Sequence, residues 1–380
     1  MLVDIERILP GGVGLAHADG KTIFVSLAAS GDRVRVRVDR EQGKVLFASI
    51  TEVIEPGPNR IEPPCPYFGR CGGCDFQQLT YEAQLNAKAD IIKDCLQRIA
   101  KLDIPGVTVI PSPNPWHYRT RAIWQIDPEL DTVGYYERGS RRVCDVADCA
   151  VLVPELQTTL ERVRSSDRPT ELKHLEVVSG DRGISLAPAF GAFQTNELTL
   201  TVAGELYRYS AQAFFQVNQA LLPQLLKYAL ENAAGETALD LYSGVGLFAM
   251  PLGRRFKRVT AVESNATATR FARRNIESAG LENVDVVNAT VSDWIRSFAD
   301  KNRRVDLVLL DPPRAGAESI VIKGILDLGP SRICYVSCDP ATLARDLKKL
   351  VAGGFRIDSL SGFDMFPQTH HVETVVHLSG

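Results

Sequence analysis

The sequence predicts a fold of β and α/β parts, and three observations support this. Strand and helix patterns alternate over about residues 206–380, which is typical of a doubly wound, mainly parallel sheet. Four short β-type segments with Gly-rich turns occupy about residues 1–55 and indicate a small β-barrel. Between them, about residues 56–205 combine a Cys-, Pro- and Gly-rich loop with helical stretches and short strands, which indicates a central α+β domain.

Length and composition are those of a globular protein. The chain has 380 residues, enough for two or three domains, and a formal net charge of −3, so it is no bulk polycation. The segment Met1–Glu6 is charged where a secretory signal would be apolar, and no apolar run approaches the ~20 residues of a membrane span. We therefore expect a cytoplasmic protein without membrane contact. Its eight cysteines then indicate metal binding or catalysis rather than disulfides.

The N-terminal part contains one strand with a strict alternation. The predicted strands are Val3–Ile8, Lys21–Val25, Asp32–Arg40 and Val45–Ile54. In the third, valines alternate with Arg33, Arg35 and Arg37, which therefore share one strand face. That face is as typical of an ordinary solvated strand as of one that follows an RNA phosphate backbone. The Gly-rich segment 11–14 is interpreted as a turn, because no clear helix follows it.

The central part opens with a cysteine loop, in which Cys65, Cys71 and Cys74 follow the pattern C-x5-C-x2-C. Pro and Gly keep this loop irregular, so three thiolates can turn toward one point, and a fourth ligand would complete a tetrahedral set. Cys149 is our choice for the fourth ligand and Cys144 is a close rival. Cys95 lies in a helical pattern over Tyr81–Ala100 and is assigned to the core. Four thiolates suit zinc or an iron–sulfur cluster, and spacing alone slightly favours zinc.

An Arg-rich hairpin is predicted between these cysteines. Its first strand region carries Arg119 and Arg121 between two tryptophans, and its second carries Arg141 beside two tyrosines. Interleaved guanidinium groups and aromatic rings suit single-stranded RNA, because the former bind phosphate and the latter stack on bases. An ordinary Arg-rich hairpin is the alternative interpretation.

The C-terminal part alternates predicted strands and helices. The strands are Thr237–Tyr242, Val259–Glu263, Val284–Asn288, Val305–Leu310, Ile333–Val336, Phe355–Gly362 and Val372–Leu378. The helices are Leu221–Glu231, Leu247–Leu252, Ala266–Ala279, Asp293–Ala299, Ser319–Leu328 and Ala341–Ala352.

Several candidate site residues follow the carboxyl ends of these strands, where open α/β sheets bind ligands. Gly244 belongs to a Gly turn that allows close approach of a cofactor, and Glu263 can accept hydrogen bonds from ribose hydroxyls. The turn lacks the third glycine of a pyrophosphate-binding turn, so S-adenosylmethionine is favoured over a nicotinamide cofactor. Asp311 precedes two prolines that fix its turn. Arg314 stands where enzymes that methylate exocyclic base amines carry an aromatic residue, which disfavours an amine substrate.

Cys338 lies just past the carboxyl end of the strand Ile333–Val336 and shortly before the next helix, which Asp339 or Thr342 can cap. A lone cysteine there is usually a small core residue. If the last strand runs antiparallel, however, Glu373 reaches the same rim. A thiol and a carboxylate are what methylation of a pyrimidine C5 requires, because C5 becomes nucleophilic only after a thiolate adds to C6. A base must then remove the C5 proton so that the thiolate can leave.

The ordered set of motifs resembles the RNA 5-methyluridine methyltransferase family. The matching segments are Phe215–Asn218, Asp240–Gly246, Glu263, Asp311–Arg314, Ser337–Asp346 and His371–Glu373. The resemblance implies that Cys338 and Glu373 are catalytic and that S-adenosylmethionine is bound by Gln216, Tyr242, Gly244, Glu263 and Asp311. It also implies a [4Fe–4S] cluster on Cys65, Cys71, Cys74 and Cys149, which outweighs the preference for zinc.

The resemblance further implies three domains and a substrate. Residues 1–55 would form an OB-like TRAM barrel, 56–205 an iron–sulfur domain with the RNA-binding hairpin, and 206–380 a Rossmann-like methyltransferase domain. The family allows the helix over 81–100 to pack on the catalytic domain. We expect a monomer that methylates C5 of a uridine in structured RNA, with 23S rRNA favoured over tRNA. The alternatives are an RNA cytosine-C5 methyltransferase and a non-catalytic iron–sulfur protein that binds RNA.

Overall fold

The N-terminal segment forms a six-stranded sheet. The computed structural model describes residues 1–298 and 304–380, and all bounds and counts refer to these residues. The strands are β1 (Leu2–Asp4), β2 (Arg7–Leu9), β3 (Val13–Ala18), β4 (Lys21–Ser26), β5 (Arg33–Gln42) and β6 (Val45–Glu55). They lie in the order β1-β5-β6-β4-β3-β2, and only β4 and β6 pair in parallel.

In the first half of β5, valines and arginines alternate between the buried and the exposed face, as predicted. Val34 and Val36 are buried, whereas the arginines between them are exposed. Val38 is 39% exposed, because the packed part of the strand ends before it. Strand β3 was not predicted: the glycines at 11 and 12 form the turn, but Gly14 lies in the strand, where a Cβ would come within 2.7 Å of Ala28 Cβ.

The central segment contains a long helix and a five-stranded sheet. Helix α1 (Tyr81–Cys95) continues into a π-helical turn, Leu96–Ala100. Thr80 caps its start by accepting a hydrogen bond from the backbone N of Ala83. The sheet comprises β8 (Arg121–Asp127), β9 (Thr132–Tyr136), β10 (Val143–Asp145), β11 (His174–Ser179) and β12 (Ile184–Ala187), and helix α2 (Pro154–Arg164) packs on it. The hairpin β8–β9 is where the Arg-rich hairpin was expected.

The C-terminal segment is built on an eight-stranded sheet. Its strands are β7 (Val109–Ile110), β15 (Gly235–Leu241), β16 (Phe256–Glu263), β17 (Val284–Asn288), β18 (Leu307–Leu310), β19 (Arg332–Ser337), β20 (Arg356–Phe363) and β21 (Glu373–Ser379). Their order is β17-β16-β15-β18-β19-β21-β20-β7. A separate hairpin, β13 (Leu198–Val202) and β14 (Glu205–Tyr209), precedes it.

Helices cover both faces of this sheet, as in a doubly wound fold. They are α3 (Leu222–Ala229), α4 (Ala249–Gly253), α5 (Ala266–Ser278), α6 (Val291–Ser297), α7 (Ser319–Leu328) and α8 (Pro340–Ala352). The helix predicted over Asp293–Ala299 corresponds to α6, and Ala299 lies outside the described residues. No described helix is long and apolar enough to cross a membrane.

The central and C-terminal segments share one hydrophobic core. Ile92, Cys95 and Leu96 of the α1 region belong to the same buried cluster as Val308 and Leu343 of the large sheet and its helix α8. The chain order therefore differs from the packing order, and the helix over 81–100 packs on the C-terminal eight-stranded sheet and its helix α8.

A buried ion pair reinforces this contact. The Nζ of Lys88, in α1, donates to Oδ1 of Asp364 and, at 2.9 Å, to the backbone oxygen of Phe366. Both side chains of the pair are fully buried. Asp364 and Phe366 belong to the segment that leads from β20 into β21, so α1 helps to fix the start of β21.

We predict that Lys88→Met lowers the free energy of unfolding by ~3–5 kcal/mol, because removing one partner leaves an uncompensated buried charge. Urea denaturation followed by circular dichroism measures this loss. Lys257→Met is the control: it breaks a pair with Glu236 whose side chains are 74% and 64% exposed, and should cost less than ~1 kcal/mol. Equal losses in the two variants would contradict the prediction.

Candidate active site

Cys338 stands at the junction of β19 and α8. Asp339 caps α8 by accepting a hydrogen bond from the backbone N of Thr342 at 2.8 Å, and Pro340 occupies the first turn. The hydroxyl of Ser337 accepts from the backbone N of Asp339 at 3.2 Å. These contacts fix the backbone on both sides of Cys338 and present its thiol at the carboxyl edge of the sheet.

Glu373 reaches the same edge because β21 runs antiparallel to β19. Ser337 pairs with Thr374, so Glu373 lies beside the end of β19. Its side chain is buried, and its Oε1 has no hydrogen-bond partner among the described residues. A buried carboxyl oxygen without a partner is costly and is typical of a site that receives a ligand or a proton.

Helix α8 also holds the loop after Asp311. Arg345, in α8, donates to the backbone oxygens of Ala315 at 3.0 Å and Ala317 at 3.1 Å. Its neighbour Asp346 accepts from the backbone N of Ala317 at 3.0 Å. Gly316 has a φ of +75°, and a Cβ there would lie 2.5 Å from Nη2 of Arg345. The positions of Asp311 and Cys338 are therefore linked through one helix.

The Gly turn after β15 is organised by Glu263. The Oε2 of Glu263 accepts from the backbone N of Gly244 at 3.0 Å, and its Oε1 accepts from Asn265 N at 2.6 Å. Tyr242 has a φ of +65°, which is unusual for a residue with a Cβ and characteristic of functional turns. The prediction of a close turn identified the glycines but not the left-handed tyrosine.

Gln216 lies on a segment whose backbone is held by hydrogen bonds from Arg121. Arg121 is buried and donates to the backbone oxygens of Ala211 and Ala213, each at 2.9 Å. Two residues before Gln216, Phe214 is 59% exposed at the mouth of the site. Arg121 therefore supports this segment, and we correct its assignment to RNA, because its guanidinium is used inside the protein.

One cavity of about 660 Å³ unites the predicted residues. It is lined by both proposed catalytic residues and by all five proposed cofactor residues: Cys338, Glu373, Gln216, Tyr242, Gly244, Glu263 and Asp311. Phe214, Phe366 and Arg314 also line it. Its size suits a drug-sized or nucleoside-sized ligand.

The sequence matches one family over half of its length and close relatives over almost all of it. The model of the family described as tRNA (Uracil-5-)-methyltransferase matches residues 191–380. A 23S rRNA (uracil(1939)-C(5))-methyltransferase RlmD of Pseudomonas putida is 36% identical over 98% of this chain and 92% of its own. The chain belongs to the RNA (uracil-C5)-methyltransferase family. It is therefore an S-adenosylmethionine-dependent enzyme.

Two further RNA (uracil-C5)-methyltransferases resemble the chain. The RlmD of Vibrio parahaemolyticus is 31% identical over 98% of this chain and 94% of its own. The crystal structure of Pyrococcus abyssi tRNA (uracil-54, C5)-methyltransferase in complex with S-adenosyl-L-homocysteine superposes with a TM-score of 0.77. It is 25% identical and covers 100% of both chains. The mixed α/β methyltransferase fold is thus shared over the whole length.

Burial controls the charges of the methyltransferase cavity. It raises the pKa of Asp311 to about 7 and the pKa of the Cys338 thiol to about 12. Burial, and then the nearby Asp311, raise the pKa of Glu373 and of Asp240 well above the usual carboxyl range. The Cys338 thiol and the carboxyls of Glu373 and Asp240 therefore hold their protons at neutral pH, whereas about half of the Asp311 carboxyls are ionised. A cationic ligand would favour their ionised forms, and the sulfonium of S-adenosylmethionine is such a cation.

Arg314 is a cavity residue to which the sequence analysis gave no role beyond excluding an amine substrate. Its Nη2 lies 3.3 Å from Nε2 of His371, and its charge opposes the rise in the pKa of Glu373. Burial, followed by the charges of His370 and Arg314, lowers the pKa of His371 to about 3. His371 is therefore neutral at physiological pH and can accept from the guanidinium.

The cysteine loop forms a second, smaller cavity. Cys65, Cys71, Cys74 and Cys149 all line it, together with Arg119 and Tyr135. The rival ligand, Cys144, is buried on β10 and is not part of this lining. No group of three or more His, Cys, Asp or Glu side chains in the described ranges is arranged to hold a single metal ion.

Unpartnered donors face this cysteine cavity. The Nε of Arg119 and the hydroxyl of Tyr135 are buried without hydrogen-bond partners among the described residues. Burial raises the pKa of Cys71 to about 11 and of Cys74 to about 12. Arg119 is thus enclosed beside the cysteines, and we correct its assignment to RNA as well.

The remaining RNA candidates lie on the surface. Arg33 lies 3.3 Å from Asp4, Arg37 lies 3.1 Å from Asp39, and Arg35 pairs with Glu52. Exposed pairs of this kind are weak, so phosphate can compete with the carboxylates. Arg141 is exposed in the connection between β9 and β10.

The raised pKa of Asp311 gives a testable pH dependence of stability. Its carboxyl ionises at about 7 in the folded protein and at its ordinary value of 3.8 when unfolded. Between these values the folded state binds more protons, so stability falls as the pH rises. We predict that Asp311→Asn melts at a higher temperature than the parent protein, by a margin that grows from about pH 4 to about pH 7 and is constant above.

Thermal melts between these pH values measure the margin. Asp90→Asn is the control, because the Asp90 side chain is 64% exposed and does not line the cavity. A margin for Asp311→Asn that is equal at every pH would contradict the prediction.

Proposed function

We propose that the enzyme methylates C5 of a uridine through a covalent bond between the Cys338 sulfur and C6 of the base. The observation that carries this proposal is the shared cavity, where the thiol lies with an unpartnered carboxyl and with the proposed cofactor residues. Addition of sulfur to C6 shifts electron density onto C5, which makes C5 a nucleophile. The base must leave its stack to reach this cavity.

Glu373 is the proposed base. After methyl transfer, C5 carries both the new methyl group and its original proton. Removal of that proton restores the C5–C6 double bond and expels the Cys338 thiolate. The free Oε1 of Glu373 can accept the proton directly or through a water molecule. Arg314 lines the same cavity and supports the ionised form of Glu373 that accepts a proton.

The cofactor residues are proposed to divide the remaining contacts. S-adenosylmethionine supplies the methyl group and a positive charge when it is bound. Glu263 keeps lone pairs for ribose hydroxyls although its two oxygens already accept from backbone nitrogens. Asp311 offers a negative charge, and the left-handed turn at Tyr242 and Gly244 leaves room beside the backbone. Gln216 adds an amide at the opposite wall.

The RNA target is proposed from the relatives. Two of them, 36% and 31% identical, are named as 23S rRNA (uracil(1939)-C(5))-methyltransferases. The tRNA enzyme of known structure is 25% identical. We therefore favour a uridine in 23S rRNA over one in tRNA. Residues 1–55 are proposed to be an OB-like, TRAM-type module that contacts the RNA backbone with Arg33, Arg35 and Arg37, and Arg141 would add a contact from the central domain.

We predict that Cys338→Ala abolishes methylation but leaves S-adenosylmethionine binding within about twofold, because the thiol forms a bond only to the base. Glu373→Gln should instead accumulate a covalent RNA adduct that survives a denaturing gel. Tritium release from [5-³H]uridine in 23S rRNA and tRNA transcripts measures turnover and identifies the preferred RNA. The buried Cys334, also in β19, provides the control Cys334→Ala. Turnover by Cys338→Ala would exclude the mechanism.

We further propose that the cysteine cavity holds a [4Fe–4S] cluster. Four cysteines line the cavity, and in such a cluster each of four thiolates binds a different iron. The unpartnered Nε of Arg119 and hydroxyl of Tyr135 could donate to the negatively charged sulfur atoms. Residues 56–205 would then be an iron–sulfur domain. The cluster would be structural, because methyl transfer needs no electron.

We predict that Cys149→Ser, purified without oxygen, loses most of its iron and acid-labile sulfide, because one thiolate is missing from the cavity. Cys144→Ser is the matched control and should keep both, since Cys144 does not line the cavity. Iron and sulfide analysis with visible absorption measures the difference. Retention of iron in Cys149→Ser together with loss in Cys144→Ser would reassign the fourth ligand, and zinc in place of iron would exclude the cluster.

A further inference from the structure

The segment Asp364–His371, here called the base loop, joins β20 to β21 and ends two residues before Glu373. Its contacts come largely from the first third of the chain. The Nε2 of Gln84 donates to Oε1 of Gln368 at 2.9 Å, and the backbone N of Gln368 donates to Oε1 of Gln84 at 3.0 Å. Gln368 has a φ of +69°, a strained conformation that persists only where the surroundings enforce it.

Asp75 makes the densest set of contacts to this loop. The backbone nitrogens of Asp75 and Phe76 both donate to the backbone oxygen of Gln368 at 3.0 Å. The Oδ1 of Asp75 accepts from the backbone N of His370 at 2.8 Å, and its Oδ2 lies 2.5 Å from Nδ1 of His370. Asp75 directly follows Cys74, so one residue separates the cysteine cavity from the base loop.

His370 connects Asp75 to the active site through its neighbour His371. Its ring lies 4.1 Å from the ring of His371, and Nε2 of His371 lies 3.3 Å from Nη2 of Arg314 in the cavity. On its other side, His370 packs so closely on the N-terminal segment that a Cβ at Gly12 would come within 2.9 Å. His370 is thus held between three parts of the chain, and Glu373 lies three residues further along.

We propose that Asp75 is a positioning residue that couples the cysteine loop to Glu373. It forms hydrogen bonds to the base loop at Gln368 and His370. These hold the carboxyl of Glu373 in the place where it must remove the C5 proton. This inference rests on the proposed role of Glu373 as the base. It gives the cysteine loop a mechanical purpose in a reaction that transfers no electron. Cys338 and the Gly turn lie on other strands and do not depend on Asp75.

The test compares Asp75→Ala with Asp75→Asn in the full-length, cluster-containing protein. Asp75→Ala should lower kcat on the order of 10- to 100-fold, because small displacements of a reacting group have effects of this size. KM for RNA and the affinity for S-adenosylmethionine should change less than about threefold, and the covalent RNA adduct should accumulate as in Glu373→Gln. Asp75→Asn keeps the acceptor for the backbone N of His370 and should restore part of kcat.

Asp94→Ala is the matched control. The Asp94 side chain is 12% exposed, against 15% for Asp75, and pairs with Arg7 and Arg98 away from the cavity. It should lose stability without adduct accumulation. Adduct in Glu373→Gln but none in Asp75→Ala would overturn the coupling and leave the proposed function intact. No adduct in either variant would overturn the function itself. Loss of iron in Asp75→Ala, or an equal loss of kcat in Asp94→Ala, would show that the effect of Asp75→Ala is a general structural defect and would overturn the positioning role.

Discussion

The active site depends on one strand of the eight-stranded C-terminal sheet that runs opposite to its parallel neighbours. Strands β15 to β19 are parallel, so only their carboxyl ends meet at the binding edge. Strand β21 enters between β19 and β20 in the opposite direction and brings its first residue, Glu373, to that edge. A purely parallel sheet would place the start of that strand at the far edge. The proposed nucleophile and base therefore come from adjacent strands of opposite direction, and the base loop must be fixed from outside the sheet.

The second constraint is the excess of buried acid in the cavity. Asp311 and the buried Glu373 line the cavity with Arg314 as the basic residue of the lining, and the nearby Asp240 is buried outside that lining. Burial of this kind keeps the Glu373 carboxyl and the Cys338 thiol protonated at neutral pH and the Asp311 carboxyl partly protonated, as their raised pKa values indicate. A neutral thiol is a poor nucleophile. A protonated Cys338 thiol is thus poorly suited to the proposed attack on C6 of the base. A bound cation would favour the ionised forms of the carboxyls, with which Arg314 then interacts.

The sequence predicts this site better than the framework that holds it. The rule that ligands bind at the carboxyl ends of parallel strands brought Gly244, Glu263, Asp311 and Cys338 to one cavity, since it needs only strand assignments. Strand β3 was missed because its Gly14 is demanded by a close contact with Ala28, which no local pattern reveals. Alternating Arg and aromatic residues predicted an exposed hairpin face, but Arg121 turns inward to backbone oxygens about 90 residues away in sequence.

The sequence also shows no sign of the contacts that fix the base loop, because the residues that make them are far apart along the chain. Asp75 and His370 are separated by 295 positions, and Lys88 and Asp364 by 276. A lysine within a helical pattern predicts a solvated face, because burying an ammonium is unfavourable without a paired charge. Only the fold supplies that pair.

These contacts also decide what the C-terminal segment could do by itself. Without residues 75–118, Asp364 would lose the ammonium of Lys88, and the left-handed Gln368 would lose both hydrogen bonds to Gln84. The backbone oxygen of Pro367 would lose the hydroxyl of Tyr118, which donates to it at 2.9 Å. The sheet would lose only its edge strand β7, and Cys338 would remain, but the loop before Glu373 would be free to relax its strain. A boundary near residue 206 therefore divides the chain in sequence, whereas the catalytic unit extends across it in space.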